Sequence, residues 1–238
     1  MKFNGKTYAA KEINDAIKAA GGDATLKEVL GERFIACGLK SGVVTIEGTP
    51  GNALGAYLDG AEIRVRGNGQ DAVGDTMNDG KIVVFGSVGD TLGYAMRGGK
   101  IFVRDNVGYR AGVHIKEYGE KKPVIVIGGR AGCFLGEYMA GGLILVLNKE
   151  NVKDPIDDYT GVGMYGGKIL VRAHLLDTLL PKQIKCKRVE GQELAEFTPY
   201  IKEYAEEFGA EFAALTKGDF YLLTPDSSNP YKRLYTNN

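Results

Sequence analysis

Branched aliphatic residues recur in pairs at a nearly constant interval through most of this chain. The first residue of each pair is isoleucine, and the residue two positions later is valine or isoleucine. Successive pairs lie 19 residues from each other, except at two longer steps of 24 and 25 residues. Alternation with a period of two predicts a short β-strand that turns both members to one face. The pairs are Ile63/Val65, Ile82/Val84, Ile101/Val103, Ile125/Ile127, Ile144/Val146 and Ile169/Val171.

Two further rows keep the same register between the predicted strands. A glycine precedes each isoleucine by eight residues, or by thirteen where an insertion intervenes, and a long apolar residue follows each glycine by three. Glycine at a fixed position of every repeat indicates a turn that requires positive φ or close backbone approach. The repeat glycines are Gly55, Gly74, Gly93, Gly112, Gly136 and Gly161, and the apolar row is Leu58, Met77, Met96, Ile115, Met139 and Met164.

A repeat of this size is typical of stacked units that cannot bury an apolar face alone, so neighbouring coils must form the core. Because the same strand stacks in every coil, the ladder is parallel and a right-handed connection is strongly preferred. We therefore predict an all-β fold: a right-handed parallel β-helix, a single-stranded solenoid of about seven coils of ~19 residues with flanking α-helices. A left-handed hexapeptide helix is excluded, because six-residue steps from Leu54 reach Gly60 and Arg66 instead of aliphatic residues.

The pattern divides the chain into three parts. Residues 1–33 form an N-terminal helical segment, residues 34–173 the β-helix, and residues 174–238 a helical or irregular extension that caps the open end. Within the first part, helical spacing predicts a helix over residues 8–20 and a short second helix over Thr25–Leu30.

The boundaries of the β-helix follow from the same spacing. Its first strands are predicted at Phe34–Ala36 and Val43–Ile46. Beyond the solenoid, helical spacing extends over Glu190–Thr216, with an interruption at Pro199. The aromatic stretch Phe220–Asn238 has no regular pattern, and we expect it to cap the last coil.

A second apolar stripe lies one residue past each isoleucine, on the outer face of the predicted sheet. A solvated sheet face would be polar at these positions, so the stripe needs a cover. The cover is either the chain's own terminal helices or a partner protein. The row begins with Arg64, and its apolar members form a candidate interface: Val83, Phe102, Val126, Leu145 and Leu170.

Composition narrows the classes of function. The formal charge is zero at pH 7, so no electrostatic footprint for nucleic acid or an anionic membrane is expected. Cys37, Cys133 and Cys186 are odd in number and far apart, which disfavours a disulfide framework or a zinc site. The sequence has neither a signal-peptide pattern nor a run of apolar residues that could cross a membrane. We expect a cytoplasmic protein, and its oligomeric state stays open, a homo-oligomer included.

No pattern assembles a catalytic, cofactor or metal site. Gly67-Asn68-Gly69 and Gly128-Gly129 resemble phosphate loops only loosely, since no helix is predicted to follow either. His114, His174 and Cys133 lack a partner at a suggestive spacing, and the aspartates do not follow the calcium-binding nonapeptide. If the chain were an independent β-helix enzyme, the first candidates would be Asp90, Arg110, His114 and Glu137.

Four turn segments carry a family resemblance. They are Gly51-Asn52-Ala53-Leu54-Gly55-Ala56, Gly74-Asp75-Thr76-Met77-Asn78-Asp79-Gly80, Gly93-Tyr94-Ala95-Met96-Arg97-Gly98-Gly99 and Gly136-Glu137-Tyr138-Met139-Ala140-Gly141-Gly142. These segments resemble the GXGXG domain, the carboxy-terminal β-helix of the glutamate synthase large subunit, and above all its free-standing version. The similarity covers roughly residues 33–173, and the amino-terminal helix is similar too.

The resemblance implies a right-handed parallel β-helix that scaffolds other domains. Glutamate synthase converts glutamine and 2-oxoglutarate to two glutamates, using an amidotransferase domain that releases ammonia and a synthase domain with FMN and an iron–sulfur cluster. The implied role is a non-catalytic structural subunit that holds no cofactor and positions amidotransferase and FMN/iron–sulfur partner subunits. Residue 2 is Lys2 in place of the amidotransferase cysteine, and no iron–sulfur cysteine cluster exists, which agrees with that role.

Two alternatives stay open. The same module occurs as one of the subunits of formylmethanofuran dehydrogenases, where the partner's metal, molybdenum or tungsten, would distinguish the complex. An independent β-helix enzyme acting on a carbohydrate or acyl group is the other alternative. Such an enzyme gathers polar residues on one strand face, whereas the outward row here is mostly apolar.

Overall fold

The computed structural model describes residues 8–226 apart from 175, 177 and 178. One sheet contains eight strands that run parallel in chain order. Strands β10 and β9 extend it through two antiparallel pairings, in the order β8-β10-β9. The helices are α1 (Ala10–Ala19), α2 (Thr198–Phe208) and α3 (Phe212–Leu215). The strands are β1 (Ala24–Leu30), β2 (Val43–Thr49), β3 (Asp59–Val65), β4 (Asp79–Val84), β5 (Lys100–Val103), β6 (Val124–Ile127), β7 (Ala140–Val146), β8 (Gly166–Arg172), β9 (Ile184–Val189) and β10 (Phe220–Pro225).

The strand register confirms the periodic rows. Each isoleucine pairs with the isoleucine of the next strand from Ile63 to Ile169, and the second members of the pairs stack in the same way. Both rows, together with the Leu58 to Met164 row, are buried in one continuous core between the coils. The chain is therefore a parallel β-solenoid, as predicted, built on eight stacked parallel strands.

Packing explains why glycine recurs in every turn. All six repeat glycines have φ between 64° and 74°, where a side chain is strained. A Cβ atom added at Gly74 would also lie 2.5 Å from Cδ1 of Ile101, which belongs to the next coil. The same steric conflict with an isoleucine recurs at the other repeat glycines. Each repeat glycine thus makes room for the isoleucine row.

The N-terminal segment differs from the prediction in two places. Helix α1 is confirmed, and it closes the first coil with Ile13 and Ile17. Thr25–Leu30 is not a helix but lies within β1, which pairs in parallel with β2. A bulge at Glu28, where φ is 61°, interrupts the alternation, so the buried residues Leu26 and Val29 acquire a helix-like spacing of three.

The predicted first strand was also wrong. Phe34–Ala36 forms a turn in which Phe34 and Ala36 have φ of 57°. Ala36 lies 19 residues before Gly55, and it occupies the position that glycine holds in the later coils. The solenoid therefore begins one coil earlier than the sequence pattern indicated, with β1 as its first strand.

The segment after the solenoid adds both strands and helices. Helix α2 begins at Thr198, and Pro199 occupies its first turn instead of interrupting a longer helix. Gly209, with φ of 63°, ends it in a left-handed conformation. Strand β10 inserts between β8 and β9, so part of the predicted irregular tail is a paired strand. Residues 227–238 of the predicted cap lie outside the described part of the chain.

The chain itself covers the outer apolar stripe. The five candidate interface residues, Val83, Phe102, Val126, Leu145 and Leu170, are at most 1% exposed. They form a second core with residues of the C-terminal segment, among them Phe197, Ile201, Tyr204 and Phe220. The Tyr204 hydroxyl donates a hydrogen bond to the Arg104 carbonyl at 2.8 Å. The stripe is therefore covered by the chain's own C-terminal segment and not by a partner protein, and it is not open to a partner.

Ion pairs join α2 to the strands along one edge of the outer apolar stripe. Glu207 contacts both Arg64 Nη2 and Lys81 Nζ at 2.6 Å, and its side chain is only 11% exposed. Glu203 pairs with Lys100 at 2.7 Å. The basic residues come from three successive strands, so the acidic face of α2 spans three coils.

The Glu207 cluster predicts that acid weakens the attachment of α2. Burial by itself raises the pKa of Glu207, but hydrogen bonds from Arg64 and Lys81 outweigh burial and leave the pKa below its usual 4.5. A lowered folded-state pKa contributes stability that is present above pH 4.5 and is lost as pH falls through the folded value. We expect Glu207→Gln to cost about 1–3 kcal/mol at pH 7 and to flatten the fall in stability below pH 4.5, measured by urea unfolding.

Glu206 provides the matched control for this experiment. It lies on the same helix, is 67% exposed and, among the residues that the structure describes, pairs with Lys202 alone, at 3.9 Å. Glu206→Gln should leave the unfolding midpoint nearly unchanged at both pH values. Equal effects of the two substitutions would contradict the assigned role of Glu207.

Candidate interaction surface

Two columns of residues flank the repeat glycines on the outside of the turns. The positions two residues before each glycine form the early column, and those two residues after form the late column. We call the two columns together the turn face. The early column is Ala53, Ala72, Thr91, Arg110, Phe134 and Tyr159, and the late column is Tyr57, Thr76, Ala95, His114, Tyr138 and Gly163.

A repeated backbone conformation creates these columns. Every residue in them has positive φ, between 50° and 69°. Peptide N–H groups consequently point in alternate directions along the turn. The amide of Gly112 donates to Leu92 in the preceding coil at 2.7 Å, whereas the amides of Arg110 and His114 donate to the following coil at 2.9 Å. The alternation pairs each turn with both neighbours and repeats the flanking side chains in register.

Aromatic rings stack along both columns in the second half of the solenoid. In the late column, His114 and Tyr138 stack with centroids 5.1 Å apart and planes 10° apart. In the early column, Phe134 and Tyr159 stack at 5.0 Å and 14°. Tyr94, which lies next to the late column, makes a T-shaped contact with His114, with ring centroids 5.9 Å apart. We call the stacked rings of each column a ring ladder. Large side chains are thus held in fixed positions at strained φ values, where small residues are the easier choice.

An arginine and a buried carboxylate lie between the two ring ladders. Arg110 Nε is 3.0 Å from Glu137 Oε2, and the Glu137 side chain is only 12% exposed. The guanidinium carbon lies 5.2 Å from the centroid of the Phe134 ring. Its terminal nitrogens make no hydrogen bond to any residue within the described ranges. The Arg110 side chain, 51% exposed, therefore presents free donors in a fixed orientation.

The exposed groups of this surface suit a protein partner better than a sugar chain. Tyr57 is 56% exposed, Tyr109 50% and Tyr159 47%. Where rings stack on one another, as His114 does on Tyr138 and Phe134 on Tyr159, one face of each ring is occupied. A carbohydrate platform needs free ring faces, whereas tyrosine edges with an arginine are typical of protein interfaces.

The other candidate catalytic residues have structural partners. Asp90 Oδ1 accepts the Tyr109 amide at 2.8 Å, and Asp71 Oδ1 accepts the Asp90 amide at 2.9 Å. Asp90 thus satisfies a backbone donor of the next coil. Arg110, His114 and Glu137 come together on the turn face, where Arg110 pairs with Glu137 and His114 stacks on Tyr138.

Cys133 lines a cleft near the turn face. This cleft of about 540 Å³ is also lined by Arg130, Lys153 and Asp157. The neighbouring Cys133 thiol raises the pKa of Tyr109. Arg130 pairs with Asp157 at 2.6 Å, so the charges that line the cleft are partly neutralised.

The two loose phosphate motifs are turn glycines. A Cβ atom at Gly128 would overlap the Tyr204 hydroxyl and the Arg104 carbonyl, so Gly128 permits close packing of α2. Gly67 in the same way makes room for the Gly48 carbonyl. In the described part of the chain, no helix directly follows either motif. Among the described residues no group of acidic, histidine or cysteine side chains could hold a metal, and no helix could cross a membrane.

The ring ladders could have been found from the sequence. The row Tyr57, Thr76, Ala95, His114, Tyr138 was visible there, but in isolation His114 resembles a tolerated surface residue. The early row beside it carries Arg110, Phe134 and Tyr159 in the last three turns, where the late row carries His114 and Tyr138. That the rings stack, and that Glu137 lies buried beside Arg110, depends on side-chain conformation, which spacing does not determine.

The fold and the turns define a class: a parallel β-solenoid whose turns combine a packed central glycine with outward residues two positions away. Residues 4–222 match the GXGXG motif family. The chain therefore belongs to that family, as its turn segments indicated. An uncharacterized protein of Methanocaldococcus jannaschii is 43% identical over 244 aligned residues, which cover 99% of this chain and 92% of that protein.

A solved structure shares the fold. It is a chain from the formyltransferase/hydrolase complex of Methylorubrum extorquens in complex with methylofuran. The TM-score is 0.62 at 19% identity, and the match covers 86% of this chain and 74% of that chain. At this identity the likeness concerns the fold alone.

Proposed function

We propose that this chain is a non-catalytic scaffolding subunit of a glutamate synthase-type complex, which positions amidotransferase and FMN/iron–sulfur subunits. Membership of the GXGXG family supports a scaffold, and the solved relative is likewise part of a complex. The four turn segments support the glutamate synthase type. Amidotransferase and flavin chemistry would then reside in the partner chains, with no cofactor in this one.

One observation carries the scaffolding role. Asp90, Arg110, His114 and Glu137, the first candidates for catalysis, make contacts within and between the turns, and exposed aromatic rings lie beside them. Asp90 accepts a backbone amide of the next coil, and Glu137 fixes Arg110. A surface that is rigid, aromatic and without a reactive centre is suited to binding another protein.

A second candidate is a formylmethanofuran dehydrogenase-type complex. The structural likeness to the formyltransferase/hydrolase complex is the observation that favours it. In that case the partner chains would carry molybdenum or tungsten instead of FMN. The metal and flavin content of the natural complex separates the two candidates.

An add-back experiment tests whether the chain is a scaffold or an enzyme. Extracts of cells that lack this chain should lose glutamine-dependent glutamate synthesis from 2-oxoglutarate, and the purified chain should restore it. The chain alone should show no such activity. Asp90→Asn keeps the oxygen that accepts the Tyr109 amide, and Cys133→Ser removes the thiol nucleophile.

We expect both variants to restore activity as fully as the parent chain. A loss of more than tenfold in the restored rate with either variant, in a protein that still folds, would indicate chemistry in this chain. Restoration that fails even with the parent chain would contradict the glutamate synthase type.

A further inference from the structure

We propose that the turn face pairs two copies of this chain, face to face and antiparallel, about a two-fold axis between the Gly93 and Gly112 turns. The proposal rests on the scaffolding function. It adds that the partner of the turn face is a second copy of this chain. Two copies would then join two sets of catalytic subunits.

Side-chain size along the columns is the first support. Consider a two-fold axis that lies in the plane of the turn face and is perpendicular to the long axis of the solenoid. Such an axis reverses the order of the coils and sets each column opposite the same column of the second copy. With the axis between Gly93 and Gly112, a large residue lies opposite a small one at every position. The pairs are Arg110/Thr91, Phe134/Ala72 and Tyr159/Ala53 in the early column, and His114/Ala95, Tyr138/Thr76 and Tyr57/Gly163 in the late column.

This complementarity depends on the position of the axis. An axis through the Gly93 turn, half a coil away, would set Tyr57 against Tyr138, and Gly163 against Gly38. Two bulky rings would then collide at one position while a gap opened at another. Close packing at an interface core requires large residues to meet small ones, which the first axis provides at every position and the axis through the Gly93 turn does not.

Charge supports the same axis. Asp75 and Glu137 both directly follow a repeat glycine, and the axis sets Asp75 of the second copy opposite Glu137. Arg110 lies beside Glu137, and its terminal nitrogens make no hydrogen bond within the described part of the chain, so they can donate to Asp75 of the second copy. Thr76 Oγ1 donates to Asp75 Oδ1 at 2.8 Å and orients that carboxylate. The two-fold axis makes two such clusters.

The rigidity of the surface favours association. Stacking on Phe134 and the contact with Glu137 already fix Arg110, and stacking fixes His114 and Tyr159. Side chains that are ordered before binding lose little conformational entropy on binding. Tyrosine and arginine in such positions are the residue types that dominate interface energetics.

Sedimentation of the purified chain tests the pairing. We expect a dimer that dissociates on dilution, with no partner subunit present. Arg110→Glu should raise the dissociation constant about 30-fold. Thr76→Trp, which fills the space for Tyr138, should raise it at least tenfold. Lys202→Trp is the control, because Lys202 is exposed on α2, away from the turn face, and it should leave the dimer intact.

A disulfide tests the register. Asp71 and Cys133 each lie three residues before a repeat glycine, and the axis sets them opposite each other in the two copies. Within one chain they are three coils apart, about 14 Å, which is too far for a disulfide. In a chain with Cys37→Ser and Cys186→Ser, Asp71→Cys should therefore form a covalent dimer on mild oxidation. Asn52→Cys, one coil out of register, should form much less, and Cys133→Ser should abolish the cross-link.

Three results would overturn the proposal. These are a chain that stays monomeric at every concentration, a dimer that Arg110→Glu and Thr76→Trp leave intact, and equal cross-linking through Asn52→Cys and Asp71→Cys. A monomer that still associates with amidotransferase and flavin subunits would refute the pairing and leave the scaffolding function standing. A dimer that does not associate with such subunits would support the pairing and refute the scaffolding function.

Discussion

Met96→Asp is expected to abolish folding of the solenoid. Met96 is fully buried between coils in the middle of the rod. An aspartate there would be either a charge without a partner or a carboxylic acid without hydrogen bonds, at a cost of several kcal/mol. Because each coil stacks only on its neighbours, loss of one central coil leaves the two halves without a common core. Circular dichroism and thermal unfolding should show no cooperative transition near that of the parent chain.

Two variants separate burial from other effects of the substitution. Met96→Leu keeps volume and polarity and should cost less than about 1.5 kcal/mol. Arg97→Asp places the same charge on the exposed neighbouring residue and should melt close to the parent. If Met96→Asp melted like Arg97→Asp, the inward assignment of the methionine row would be wrong.

Gly112→Ala is expected to destabilise the chain strongly although it adds a single methyl group. Gly112 has φ of 70°, and a Cβ atom there would lie 2.5 Å from Ile144 Cδ1. The positive φ alone costs about 1–2 kcal/mol, and overpacking against the isoleucine adds about 1–3 kcal/mol. Urea unfolding of the variant measures the sum.

Gly119 allows these two contributions to be separated. It has a similar φ of 61° but no atom within 4 Å of an added Cβ, so Gly119→Ala should show only the strain of positive φ. The double variant Gly112→Ala/Ile144→Val removes the clashing Cδ1 atom and should be more stable than the sum of the single costs predicts. Additive costs would show that the repeat glycines serve backbone conformation alone.

The periodic part of the fold could be predicted because one register recurs in every coil. The glycine, the long apolar residue and the isoleucine each recur six times, so the residue type at each position of the repeat is seen in six coils. Stacking in parallel converts that repetition directly into strand pairing, and Ile63 duly lies opposite Ile82. The two insertions change the loops without shifting the strands.

The ends could not be predicted in the same way, because they do not repeat. A single bulge at Glu28 changed the apparent period of β1 from two to three. In β9, the run Lys185-Cys186-Lys187-Arg188 is exposed and mostly charged, so nothing apolar marked it as a strand. Such segments take their structure from the sheet edge that they join.

The outer stripe illustrates a different limit. The sequence identified an apolar row that required a cover, but the row is equally consistent with an internal or an external one. The choice depends on whether α2 reaches it, and that is decided by pairs such as Glu207 with Arg64, 143 residues apart in sequence. Contacts at such separation leave no periodic signal.

Purification of the tagged chain from its own cells tests the central claim, a scaffolding role in a glutamate synthase-type complex, most directly. We predict that amidotransferase and FMN/iron–sulfur chains travel with it in fixed stoichiometry, with FMN and iron in the complex and none in this chain once separated. Molybdenum or tungsten in place of FMN would assign the complex to the formylmethanofuran dehydrogenase type. A chain recovered alone, without cofactor-bearing partners, would contradict the scaffolding role.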